Sequence, residues 1–417
     1  MKIYERSLAG KLKELEKRKE IRIIRGPRQA GKTTLLKDIQ RKMKHRHTLF
    51  LNLDIPEKRK MLQQNPEDFI KRYRKEGKRL FLFLDEIQRI GSGESLKIIY
   101  DEFPDVRIFA TGSSSLEIRS KILSFLVGRA LVFELFSFSF GEFLGVAAED
   151  LQTIYNEKHA SLRQFIENGN AVQKPSFEPE ITGLLKEYMI FGGYPEVIKA
   201  RSFSEKETVL NNIKNLYIEK DITSFFRIED TGKFEDFVRL LAFDMSSLVS
   251  LSSISSSLGI TYRKAEEYLS ILRNTYIVSL LKSLRKSMVT EIKKSQKVYF
   301  MDTGLRNSVM NNFSPFDSRS DQGPLAENYV FRQLVTEFPG WEMKFWRTTG
   351  KAEVDFVISK GEETVPVEVK LGGKIERGFH SFLSEYRPKR AVVATLDKFG
   401  KKMIGSTEVM FVPIWYF

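Results

Sequence analysis

Apolar runs of five or six residues recur through the first third of the chain, at Ile21–Arg25, Thr48–Asn52, Leu80–Leu84, Arg107–Thr111 and Ala130–Leu135. Stretches with helical period separate them, Thr34–Ile39 among them. Short buried strands alternating with helices predict a parallel α/β sheet. From about Gly145 to Glu180 the chain is polar and lacks a clear period, which predicts a helix, a loop and a boundary. Helical patterning returns in LLKEYMIF and NNIKNLYIEKDITSFF. Further on, Ile254 and Leu258 lie one helical turn apart, and Gly259 supplies a turn. Thr261 can cap a second helix whose Ala265, Leu269 and Leu272 face inward. Strands at Ile277–Leu281 and Val298–Phe300 flank the basic stretch Lys282–Lys297. Near the C-terminus, AEVDFVIS and VPVEVKL alternate with period two around the turn KGEET, the pattern of a hairpin.

The chain has 417 residues, enough for two to four domains. Its 68 basic and 54 acidic residues leave a formal charge of +14, which favours polyanionic partners. Cysteine is absent and only four histidines occur, so disulfide, thiol-catalytic and zinc-ribbon readings fail. The N-terminus lacks the apolar core of a signal peptide, and the greasiest stretch, Leu131–Val146, carries Glu134 and Glu142. The expectation is a cytoplasmic protein with no membrane partner.

Candidate chemistry begins with GPRQAGKTT, Gly26–Thr34, which meets the pattern of a phosphate-binding loop in full. Gly26, Pro27, Arg28, Gln29, Ala30, Gly31, Lys32, Thr33 and Thr34 are the expected nucleotide-binding residues. Backbone N–H groups and the following helix N-terminus would cradle the phosphates. Lys32 would neutralise the β- and γ-phosphates, and the Thr33 hydroxyl would ligate Mg²⁺. The run LFLFLDE places Asp85 and Glu86 at the tip of a strand expected beside that loop. Asp85 would hold the magnesium shell and Glu86 would act as general base toward water. Ser113, after the next strand, could sense the γ-phosphate. Arg129, just before the last strand, could serve as an arginine finger within its own subunit or across an interface.

The series GPRQAGKTTLL, FLDEIQ, TGSSS, GR and FxFGEFL resembles a large family of prokaryotic AAA-type ATPases related to the STAND class. FGGYPEV at Phe191–Val197 extends the likeness. Its Pro195 resembles the proline that such ATPases pack near adenine, although a plain Gly-Pro turn between helices has the same sequence.

The order of helices and strands between residues 235 and 300 is that of a winged helix-turn-helix. Tyr262, Arg263 and Lys264 would lead its recognition helix, with Arg285, Lys286, Lys293 and Lys294 on the wing. These residue types suit phosphate contact, but the same fold also serves in packing and protein contact. The C-terminal hairpin supplies Asp355, Glu368 and Lys370, and PLAENYVFRQL offers Glu327 on a helix. Together they resemble the PD-(D/E)xK nuclease core, which implies Mg²⁺ at Glu327, Asp355 and Glu368 and a supporting role for Lys370. The tripeptide Glu-x-Lys also occurs at Glu76/Lys78, Glu291/Lys293 and Glu342/Lys344, so only the hairpin sets this copy apart.

The expected fold is therefore α/β: a P-loop AAA-type parallel-sheet domain, then a helical and winged-helix region, then a C-terminal α/β nuclease-like domain. Expected boundaries are 1–145, 146–232, 233–310 and 311–417. The implied cofactors are ATP and Mg²⁺, and the implied partner is DNA, double-stranded or branched, with homo-oligomerisation as a further expectation. The leading function is ATP hydrolysis coupled to DNA binding, with metal-dependent cleavage at the C-terminal site. The competing function is a STAND-like switch that oligomerises and binds a protein without cutting DNA.

Overall fold

The computed structural model describes residues 4–113, 121–223, 226–284 and 296–417, with the side chains of 219–221 excepted. The chain divides into two compact units, Met1–Phe138 with Asn274–Tyr276, and Ser139–Arg273 with Ile277–Phe417.

In the first unit the apolar runs become strands β1 (Ile21–Arg25), β2 (His47–Asn52), β3 (Leu80–Asp85), β4 (Val106–Gly112) and β5 (Ala130–Glu134). They form one parallel sheet in the order β2-β3-β4-β1-β5. Helices α1 (Ser7–Glu14), α2 (Lys32–Lys42), α3 (Pro56–Gln64), α4 (Pro66–Tyr73) and α5 (Glu94–Glu102) accompany the sheet. One core gathers Ile21, Ile23, Leu80, Leu82 and Leu84 with Phe69, Leu96 and Ile99 of α4 and α5. The other gathers Ile24, Phe81, Phe83 and Phe109 with Leu35, Leu36 and Ile39 of α2. Alternate residues of β3 enter different cores, as a strand with both faces covered requires.

The strand order corrects one expectation. β3 is not beside β1, because β4 lies between them. The end of β4 therefore lies between the ends of β1 and β3, although Asp85 still reaches Thr33.

The second unit begins with helices α6 (Phe140–Ala147), α7 (Glu149–Asn168), α8 (Glu178–Phe191), α9 (Pro195–Lys199) and α10 (Phe203–Lys214). Ser139 starts α6 with a reciprocal cap: its hydroxyl accepts from Glu142 N–H, and its own N–H donates to the Glu142 carboxylate. The former greasy stretch is thus divided between a strand and a capped helix.

Helices α11 (Thr231–Phe243), α12 (Leu251–Leu258) and α13 (Tyr262–Asn274) precede the antiparallel pair β6 (Val278–Leu281) and β7 (Lys297–Phe300). Ala265, Leu269 and Leu272 are buried as their spacing predicts. Arg285, Lys286, Lys293 and Lys294 lie outside the described residues.

After α14 (Thr303–Val309) and α15 (Gln322–Glu337) comes a mixed sheet of six strands. These are β8 (Glu342–Arg347), β9 (Glu353–Lys360), β10 (Glu363–Val369), β11 (Arg390–Thr395), β12 (Gly400–Ile404) and β13 (Thr407–Pro413), with α16 (Arg377–Tyr386) between β10 and β11. The predicted hairpin is the antiparallel pair β9–β10. Phe379, Phe382 and Leu383 of α16 pack on Trp346, Val354, Val357 and Val393 of the sheet. Among the described residues no helix is long and apolar enough to cross a membrane.

Candidate functional site

The loop Gly26–Thr34 joins β1 to α2 at the end of the sheet where parallel strands finish. Gly26 is required by close approach, since a Cβ there would lie 1.9 Å from the Leu135 carbonyl oxygen. Gln29 and Gly31 have positive φ, 61° and 91°, which folds the loop back on itself before Lys32 starts the helix. Pro27, Arg28 and Ala30 complete the turn, and Thr34 lies in the first turn of α2.

Lys32 is buried and donates to the carbonyls of Gly26 (2.9 Å) and Pro27 (2.6 Å). Burial pushes its pKa down to about 8, against the raising pull of Glu86 and Asp85. The ammonium is thus held by the loop that would surround phosphates, in a place where a further anion would be welcome. Thr33 Oγ1 lies 3.1 and 2.9 Å from the two Asp85 carboxylate oxygens. A hydroxyl and a carboxylate converging at a helix N-terminus form the hard-oxygen donor set that suits Mg²⁺, so these residues fit that ion.

Because β4 lies between β1 and β3, Thr111 near its end reaches both functional neighbours. Its hydroxyl donates to Asp85 Oδ1 and accepts from the Glu86 N–H (3.3 Å). Glu86 has φ 61°, a conformation costing about 1–3 kcal/mol for a residue with a side chain. Ser113 donates to both Glu86 oxygens at 3.1 and 3.0 Å, and Gln88 Nε2 donates to the same carboxylate. The structure therefore brings Lys32, Thr33, Asp85, Glu86 and Ser113 together. Thr111 was missed, since its role depends on strand order.

Arg129 is not brought to this group. It precedes β5, which runs parallel to β1, so it sits where the strands begin rather than where they end. Its carbonyl accepts from Ile21 N–H, and its guanidinium pairs with Asp101 at 2.8 and 3.1 Å. Within one chain this placement is unsuited to a γ-phosphate contact.

Pro195 opens α9 in the second unit. The preceding glycines wrap Asp302, whose carboxylate accepts from the N–H groups of Gly193 (2.9 Å) and Leu305 (3.0 Å). The Asn307 side-chain amide donates to the carbonyls of Met189 (3.2 Å) and Ile190 (2.8 Å), which fixes the same turn. FGGYP is thus anchored to the N-terminus of α14.

At the start of β2 and β3, the opposite end of the sheet from the loop, lies a basic cleft of about 410 Å³. Lys44, Arg46, Lys75, Lys78 and Arg79 line it over Phe81. Arg46 pairs with Glu16 (2.8 Å), while among the described residues Lys44, Lys75, Lys78 and Arg79 have no carboxylate partner. Two basic runs far apart in sequence meet here because β2 and β3 pair in register from His47 and Leu80.

In the C-terminal sheet, Asp355 and Glu368 face each other one step beyond the paired Phe356 and Val367. Asp355 N–H donates to Glu368 Oε2 (3.3 Å), and Val369 N–H to Asp355 Oδ2 (2.8 Å). Lys370 lies 3.5 Å from Glu368 and 3.2 Å from Glu376. Burial first, then the neighbouring Glu327 charge, pushes Asp355 up to about 7. Burial and Asp355 hold Glu368 well above the usual carboxylate range. Glu327 of α15 is bound by Lys297 (2.9 Å) and Tyr299 (2.6 Å). Lys297, Tyr299 and Glu353 were not foreseen as members of this cluster. Among the described residues no three acidic or histidine side chains are placed to hold one metal ion, so this site does not fit the expected Mg²⁺.

Residues 18–144 match a family described as AAA domain. Residues 182–315 and 322–417 match two families described as domains of unknown function. An uncharacterized protein of Haemophilus influenzae is 23% identical over 410 residues, covering 95% of this chain and 94% of that protein. One from Methanocaldococcus jannaschii is 24% identical, covering 84% and 75%. Among solved structures, the Aeropyrum pernix ORC2 protein in its ADPNP-ADP complexes covers 73% of this chain and 90% of its own, at 12% identity and a TM-score of 0.36. On the match over residues 18–144, the first unit is a P-loop domain of AAA type.

Proposed function

We propose that this protein binds and hydrolyses ATP at Gly26–Thr34 and couples that cycle to nucleic-acid binding. The observation that carries the first part is the meeting of Thr33 with Asp85 beside the buried Lys32. Lys32 binds the β- and γ-phosphate oxygens, and Thr33 with Asp85 holds Mg²⁺, which when bound supplies neutralising charge to the phosphates. Ser113 and Gln88 orient the Glu86 carboxylate, which accepts the proton of the attacking water. The Thr111 hydroxyl ties Asp85 to the backbone of Glu86, so both carboxylates keep a fixed relation to the loop.

The basic cleft supports the second part. Four cations of one cleft, without carboxylate partners among the described residues, suit a phosphodiester backbone better than a single small anion. The exposed Tyr262 and Arg263 at the start of α13 offer a second set of phosphate-contact groups. The C-terminal cluster enters this reading as a nuclease-like layout without a cleavage step, because its carboxylates do not converge on one ion.

The test pairs ATP turnover with binding to labelled double-stranded, single-stranded and four-way-junction DNA. Lys32→Ala should abolish turnover. Neutralising about four phosphates gives a log–log salt slope near −3.6, a loss of about 100-fold between 50 and 200 mM salt. Arg79→Glu with Lys44→Glu should flatten that slope. Salt-independent binding, or none, would remove the nucleic-acid part while leaving the ATPase part standing.

A further inference from the structure

Lys297 opens β7, a strand of sequence KVYF buried at every position. Its side chain is 3% exposed, and its ammonium lies 2.9 Å from Glu327, 2.6 Å from Glu353 and 3.8 Å from Asp355. Tyr299, two residues along and so on the same strand face, gives its hydroxyl to the same Glu327 oxygen. One lysine therefore gathers carboxylates from α15 and β9 that the sequence places far apart.

Four carboxylate oxygens of the cluster already have partners. Asp355 Oδ2 accepts from Val369 N–H and Glu368 Oε2 from Asp355 N–H. Glu327 Oε1 and Asp355 Oδ1 face the Lys297 ammonium. A buried, unpaired lysine would lose its proton through desolvation. Here burial lowers the Lys297 pKa, but Glu327, Asp355 and Glu353 together more than reverse that and hold it charged. A divalent cation entering this cluster would meet a fixed positive charge in a place of low dielectric.

We infer that Lys297 is the resident cation of the C-terminal carboxylate cluster, taking the place of the divalent metal that the nuclease-like layout calls for. The domain holds its acidic residues together without metal, and this holds whether or not the first unit hydrolyses ATP. Removing Lys297 frees Glu327 Oε1 and Asp355 Oδ1, both of which face its ammonium, for a divalent ion.

Mn²⁺ is the probe, measured by electron paramagnetic resonance on the full chain carrying Asp85→Asn, which silences the Thr33/Asp85 position. The expected result is no bound Mn²⁺ in that protein and one per chain after adding Lys297→Met, lost again on adding Asp355→Asn. If Lys297→Met does not fold, Lys297→Met with Glu353→Gln removes one negative charge along with the positive one. Mn²⁺ bound in the Asp85→Asn protein and lost with Asp355→Asn would overturn the inference. So would a folded Lys297→Met protein that binds none. The Asp85→Asn measurement decides the first point even if neither lysine variant folds.

Discussion

The charge on Lys32 is expected to set how nucleotide binding depends on pH. In the structure burial lowers its pKa to about 8, with Glu86 and Asp85 pulling the other way. Phosphates beside the ammonium favour the charged form and return its pKa toward the ordinary lysine value of about 10.4. Binding above pH 8 must therefore take up a proton. A ligand that raises a pKa binds best below the free-state value, so affinity is full below about pH 8 and falls about tenfold per pH unit above it. By pH 10 the loss is about 100-fold, or about 2.7 kcal/mol. The assay is titration with a fluorescent ATP analogue from pH 7 to 10, with calorimetry in two buffers of different ionisation enthalpy to count the proton. Lys32→Met serves as control and should bind weakly with little dependence on pH. A wild-type affinity that stays flat to about pH 10, with no proton uptake, would refute the reasoning.

Gly26→Ala sets a Cβ 1.9 Å from the Leu135 carbonyl oxygen, so backbone must move. A cost of about 1–3 kcal/mol to the first unit is expected, read by chemical denaturation, together with loss of nucleotide binding. Asp355 has a folded pKa of about 7, above its unfolded value of about 3.9. Its contribution to stability is therefore full below about pH 4 and is lost as pH rises through 7. Asp355→Asn should remove that part of the pH dependence, measured as the difference between variant and wild-type denaturation midpoints; parallel curves would contradict it.

Local motifs were legible where the chemistry is contiguous in sequence. The loop Gly26–Thr34, the five strand positions and the hairpin carrying Asp355 and Glu368 are all set by short-range pattern. Strand order is not local, which is why β3 was expected beside the loop's own strand and Thr111 was overlooked. Arg129 could have been placed from the sequence. In a parallel sheet the residue before one strand lies opposite the loop that follows its neighbour. Lys297 was counted as the end of a basic stretch, because its partners Glu327 and Glu353 come from distant elements that no local pattern brings to it. The basic cleft joins residues 44–47 with 75–79, and only the pairing of β2 with β3 brings them together.

The central claim is that Glu86 serves hydrolysis while Lys32 and Thr33 serve binding. The most direct measurement is single-turnover ATP hydrolysis by wild type and Glu86→Gln, with nucleotide affinity measured in parallel. The expected result is ATP affinity within a few-fold of wild type and a hydrolysis rate lower by about 10²–10⁴. Undiminished hydrolysis by the variant, or no ATP bound by the wild-type protein, would contradict the account.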